Sequence, residues 1–141
     1  MRAGLRAGLR ARVVAVVAVL AGCGSGGGFP IDAVPVSHAP GMFALAWSLD
    51  AANAQPETCA QASATTVTVS IVDEASGAQF SAVFACGLAT AVTGALFPAT
   101  YDLAFSLVGA TGVVATAPAQ RGLTIVAMQT TSVPAIQFVT P

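Results

Sequence analysis

The sequence predicts an all-β domain over residues 42–141, an antiparallel β-sandwich of about seven strands. Three observations carry this. From residue 42 onward apolar side chains recur with a period of two, the spacing that puts one face of a strand into a core. Turn-forming residues interrupt the pattern roughly every 8–12 residues, as they do in sandwiches. No stretch repeats with the 3.6-residue period of a helix.

The strands follow in order. Phe43, Leu45, Trp47 and Leu49 alternate with Ala44, Ala46 and Ser48 in the first. Residues 53–64 form a polar loop that holds Pro56 and Cys59. Residues 65–73 are rich in β-branched side chains, with Val67, Val69 and Ile71 on one face and Thr66, Thr68 and Ser70 on the other. A turn at Glu74-Ala75-Ser76-Gly77 leads to residues 79–86, where Phe80, Ala82, Phe84 and Cys86 share a face, so the pair reads as a β-hairpin. Residues 87–96 read as a loop of small side chains. Pro98-Ala99-Thr100 then introduces Tyr101, Leu103, Phe105 and Leu107 in alternation. A turn at residues 109–112 precedes a short strand over 113–117, which Pro118 should end. Residues 123–128, begun by an exposed Arg121, and residues 133–139 give two more strands, and Pro134 directs the last to a sheet edge.

The N-terminus has a different composition. The chain has five basic residues, and four of them, Arg2, Arg6, Arg10 and Arg12, fall within the first twelve positions. An unbroken apolar run follows from Val13 to Ala21, then Gly22, Cys23 and a Gly-rich stretch. A basic start, a short apolar core and small residues at its end are the three parts of a secretory signal peptide. The apolar run would span roughly 14 Å as a helix, against about 30 Å of bilayer hydrocarbon, so it is too short for a stable transmembrane helix. An ordinary secretory signal with a chance Cys is the alternative reading.

Leu20-Ala21-Gly22-Cys23 resembles the lipobox of bacterial lipoproteins: Leu at −3, small residues at −2 and −1, Cys at the cut. The resemblance implies cleavage between Gly22 and Cys23, leaving residues 1–22 as a removable signal peptide. It also implies a diacylglyceryl thioether on Cys23 and often an acylated, for example palmitoylated, amine. Two or three chains are enough for stable anchoring, where one is marginal. The partner implied is therefore the lipid bilayer, reached through acylated Cys23, and the place is the cell envelope. Gly24 follows the Cys where the family's inner-membrane retention signal has Asp, which favours the outer membrane in a cell that has one.

Residues 23–41 carry Gly26-Gly27-Gly28 and then Pro30, Pro35 and Pro40, the composition of a tether. His38 belongs to it and reads as an exposed linker residue. After cleavage one Arg faces six acids, a net charge of −5 with His38 neutral. A chain so acidic, with a single Arg, is not a nucleic-acid binder. Removing Cys23 from the count of three leaves Cys59 and Cys86, and export to an oxidising compartment favours a disulfide between them. A metal site would need more Cys or His ligands than the chain has, and a reactive thiolate would need a basic neighbour.

No cofactor is expected, and no catalytic set is legible. A Ser-His-Asp arrangement would have to use His38, and the Gly-x-Ser-x-Gly, phosphate-loop and His-Glu-x-x-His patterns are missing from the sequence. Asp73-Glu74 reads as a solvated turn that would bind calcium only if Asp50 or Asp102 approached with further oxygens. Trp47 and Tyr101 fall on alternating apolar faces and read as core rather than as a sugar platform. Residues 96–103, Leu-Phe-Pro-Ala-Thr-Tyr-Asp-Leu, resemble the strand opening of the carboxypeptidase-regulatory-like and transthyretin-like envelope β-sandwich modules, with Ala99 where Gly is usual. The chain is therefore expected to be a non-enzymatic binding or accessory lipoprotein with an envelope protein or glycan as possible partner. A purely structural spacer is the alternative, and a small hydrolase is the third reading.

Overall fold

A computed structural model describes residues 38–141. The expected signal peptide, the expected cleavage point at Gly22 and Cys23, and the expected tether up to residue 37 lie outside the described residues.

The strands are β1 (Met42–Ala51), β2 (Ala64–Asp73), β3 (Gln79–Ala85), β4 (Thr90–Val92), β5 (Thr100–Gly109), β6 (Gly112–Thr124), β7 (Thr130–Ser132) and β8 (Ile136–Thr140). They form an all-β sandwich of two four-stranded sheets. The second sheet has the order β3-β2-β5-β6 and is antiparallel throughout. In the first, β1 is central, with β4 on one edge and β7 and β8 in succession on the other.

Alternation decides which face each strand buries. Phe43, Leu45, Trp47 and Leu49 of β1 point inward, as do Val67, Val69 and Ile71 of β2 and Tyr101, Leu103, Phe105 and Leu107 of β5. With Ile125, Ile136 and Phe138 they make one continuous core. Phe43 meets Tyr101 edge to face at 6.1 Å, and Trp47 meets Phe84 at 6.2 Å, so aromatic pairs join the two sheets.

The first sheet departs from the purely antiparallel arrangement: β7 and β8 run parallel to β1. The cause is topological. β1 begins at one end of the sandwich, called here the proximal end, and β6 returns the chain to that same end at Thr124. β7 therefore starts beside the start of β1, with Met42 opposite Thr130, and must run the same way.

Four local differences have equally plain causes. β6 continues through Pro118 rather than stopping there, because it is an edge strand and its register with β5 shifts between Leu103 and Phe105, where Pro118 is accommodated. A second shift lies between Tyr101 and Leu103, beside Gly122 at φ +66°. Arg121 thus lies near the end of one long strand instead of opening a new one, and it is exposed. The stretch of small side chains at 87–96 contains β4, only three residues long and too short to show a period. The strand expected over residues 123–128 stops with β6 at Thr124, residues 130–132 of the expected separator form β7 instead, and β8 takes up the second expected strand only from Ile136, after Val133-Pro134-Ala135. On β3, Phe84 packs against the core, whereas Phe80, near the outer end of this edge strand, remains 47% exposed.

Candidate functional site

The end of the sandwich opposite the chain's entrance holds a concavity. β1 finishes there at Ala51, and the polar loop folds back so that Glu57 N–H donates to Leu49 O at 2.9 Å. Within the loop Thr58 and Gln61 cap each other. Thr58 N–H donates to Gln61 Oε1 at 2.9 Å, and Gln61 N–H donates to Thr58 Oγ1 at 3.3 Å. This reciprocal pair is the capping-box arrangement, and it fixes the turn that carries Cys59.

Cys59 and Cys86 form the expected disulfide, with Cα atoms 6.0 Å apart. Cys86 sits just past β3 in a single 3₁₀ turn, Cys86–Leu88, and is buried. Its carbonyl accepts a hydrogen bond from Trp47 Nε1 at 2.9 Å, which satisfies the indole of a side chain only 6% exposed. The bridge therefore joins the polar loop to the end of the hairpin, and Trp47 holds that junction to β1.

Beside the bridge lies a groove of about 470 Å³ with an apolar floor of Trp47, Leu49, Pro56 and the two cysteines. Asp50 and Glu57 stand on its rim. Both carboxylates are engaged by β8: the Gln137 amide donates to Asp50 Oδ2, and the Thr140 hydroxyl donates to Glu57 Oε2. Sequence reasoning did not bring these two acids together. They lie on either side of the turn that follows β1, and the antiparallel bridge between Asp50 and Pro56 makes them neighbours.

The other candidate residues fall elsewhere. Asp73 Oδ1 accepts from Ala75 N–H at 2.9 Å, and Asp73 Oδ2 accepts from the Ser76 hydroxyl at 2.7 Å, closing the β2–β3 turn. The Ser76 hydroxyl, followed by the Ala75 N–H, holds the Asp73 carboxyl below the usual carboxylate value. Glu74 and Asp102 do converge, each accepting from Gly122 N–H at 3.1 Å, while Asp50 is at the opposite end. Two carboxylates around one donor fall short of the six or more oxygens that calcium takes, and among the described residues no three His, Cys, Asp or Glu side chains are grouped to hold a metal.

Trp47 and Tyr101 are both buried. The Tyr101 hydroxyl donates to Phe97 O at 2.8 Å, and burial, with a smaller contribution from the Asp73 charge, raises its pKa above the ordinary phenol value. His38 is exposed. Among the described residues no helix is long and apolar enough to cross a membrane.

Compared with known protein families, with curated proteins and with solved structures, the chain matches none.

Proposed function

We propose that the chain is a lipid-anchored protein of the bacterial cell envelope. In this reading Cys23 carries the acyl chains and the sandwich is a non-catalytic binding module. The observation that carries it is the polarity of the domain. The chain coming from the lipobox enters at Gly41, hydrogen-bonded to Leu96 in both directions at 2.9 Å, whereas the groove opens at the far end of β1. Gly41 lies six residues before Trp47 and nine before Asp50, so on the order of 20–30 Å separates the two at about 3.3 Å per residue. An anchor at one end and a concavity at the other suit a module that presents its groove away from the membrane.

The groove's chemistry favours a ligand with a small apolar or aromatic body and hydrogen-bond donors or positive charge, placed to meet Asp50 and Glu57. An envelope protein or a glycan carrying such a group is the partner class proposed. The likeness of residues 96–103 to the carboxypeptidase-regulatory-like and transthyretin-like modules belongs to the same proposal, since that segment leads into β5.

The test is substitution of Cys23 by Ser, with fractionation and labelled fatty acid. The wild type should take up label and sediment with membranes, and the variant should do neither. Equal partitioning of the two would overturn the anchoring. For the groove, Trp47 emission reports binding directly, and substitution of Pro56, a groove residue that is exposed, by Arg should abolish any ligand-induced change while leaving the fold intact by circular dichroism.

A further inference from the structure

The proximal end carries a second feature that the groove does not use. Gly41 lies tight against the 125–129 turn. A Cβ there would stand 2.5 Å from Val126 O, 2.8 Å from Gln129 O and 2.8 Å from Ile125 Cγ2, so only Gly allows the approach. The Met128 N–H donates to Pro40 O at 3.0 Å, and the Met42 N–H donates to Gln129 O at 3.0 Å. These bonds gather large apolar side chains around the point where the chain enters, and those side chains face solvent. Met128 is 83% exposed, Phe97 68%, Val126 45% and Met42 39%.

Together they present an apolar surface on the order of 400 Å², the size at which exposed patches mark interaction sites. Met128 is also held at φ +60°, in the left-handed region a side chain as large as Met rarely adopts, which projects it from the 125–129 turn. Scattered single residues need no explanation, but four around one point do.

We infer that this collar of Phe97, Val126, Met128 and Met42 rests in the interfacial layer of the lipid bilayer that holds Cys23, setting the sandwich upright with its groove outward. The inference rests on the anchoring proposed above. The occupant follows from where the chain leads. Fourteen residues, 24–37, separate the lipobox Cys from His38, a reach of at most about 50 Å. A tether so short holds the collar beside the bilayer at an effective concentration of about millimolar, so even weak partitioning is enough to seat it.

Charge refines the prediction. Asp73, Glu74 and Asp102 lie at the same end, on the second sheet, with Arg121 close by in sequence to Gly122, which binds two of them. An acidic margin is repelled by anionic headgroups, so the collar should prefer zwitterionic lipid, the reverse of a basic amphipathic surface.

The experiment uses the full chain, produced in cells and reconstituted into phosphatidylcholine vesicles with brominated acyl chains. Tryptophan is placed in turn at Met128, at Phe97 and, as the control at the far end, at Leu88, which is 58% exposed. Native Trp47 is buried about five residues up β1 and gives a constant background. The M128W and F97W proteins should lose at least half of the added emission, and L88W less than a tenth. Replacing half of the lipid by phosphatidylglycerol at low salt should weaken the quenching severalfold, and salt should restore it.

Sedimentation with the vesicles and labelled-lipid content are read on the same samples. Anchored protein without quenching at 97 and 128 overturns the collar and leaves the anchor standing. Quenching of unanchored protein by added vesicles supports the collar and removes the anchor. Equal quenching at Leu88 overturns the upright orientation. A blue shift of M128W that depends on protein concentration without lipid assigns the collar to a second copy of the chain and overturns the lipid reading.

Discussion

Replacing both Cys59 and Cys86 by Ala removes a crosslink across a sequence separation of 27 residues. On the chain-entropy relation, that loop restricts the unfolded state by about 12 cal/mol/K, or about 3.5 kcal/mol at 25 °C. Cys86 is 2% exposed, so losing its sulfur adds a small cavity, on the order of 1 kcal/mol. The total, about 4–5 kcal/mol, is a large part of the roughly 5–15 kcal/mol that stabilises a domain. Most of it acts on the unfolded chain, so two signatures should appear in urea titrations followed by Trp47 emission. The midpoint should fall, and the m-value should rise, because the unlinked chain exposes more surface. The melting temperature should drop by roughly 16–40 °C, at about 4–8 °C per kcal/mol for a domain of this size. A loss below about 1 kcal/mol with an unchanged m-value would contradict this, since it would mean that the crosslink hardly restricts the unfolded chain.

Further outcomes follow from particular contacts. Substituting Gly41 by Ala should cost about 2 kcal/mol or more, because backbone oxygens of Val126 and Gln129 stand where the methyl must go, and chemical denaturation measures it directly. Phe105→Ala, in the fully buried middle of β5, should cost about 3–5 kcal/mol by the same assay. Asp73 has a folded pKa below the ordinary carboxylate value, so its stabilising contribution is complete above that ordinary value and fades as pH falls toward the folded one. Accordingly Ser76→Ala should raise the Asp73 pKa in an NMR titration and shrink the stability difference between pH 7 and acid. Tyr101 is raised above 10, so the stability it confers is present below that pH and lost as pH climbs through its folded pKa. Spectrophotometric titration of Asp73→Asn should lower that pKa only part of the way, because burial, the larger cause, remains.

The parts of the fold written in alternation were legible from the sequence. Val67, Val69 and Ile71, and likewise Tyr101 to Leu107, bury the faces that their period of two predicts. Cys59 and Cys86 could be paired by counting and compartment alone, and they are bonded. What escaped was set by tertiary position. Pro118 is tolerated because β6 has no hydrogen-bonded strand on one side, and a sequence does not show which strand will be an edge. β4 is three residues whose pairing depends on β1, and the parallel course of β7 and β8 depends on where β6 ends. The groove was hidden for the same reason. Asp50 and Glu57 are ordinary loop acids until the turn after β1 and the side chains of Gln137 and Thr140 bring them to one rim. Phe97 and Met128 were unremarkable apolar residues until Gly41 drew their loops together.

The central claim is the anchor, and the most direct measurement is the intact mass of the protein extracted from membranes. Anchoring through Cys23 predicts a chain of residues 23–141 carrying diacylglyceryl and acyl groups, with two thiols that alkylate only after reduction. An unmodified 141-residue chain in the soluble fraction would contradict it, and the orientation argued for the sandwich would fall with the anchor.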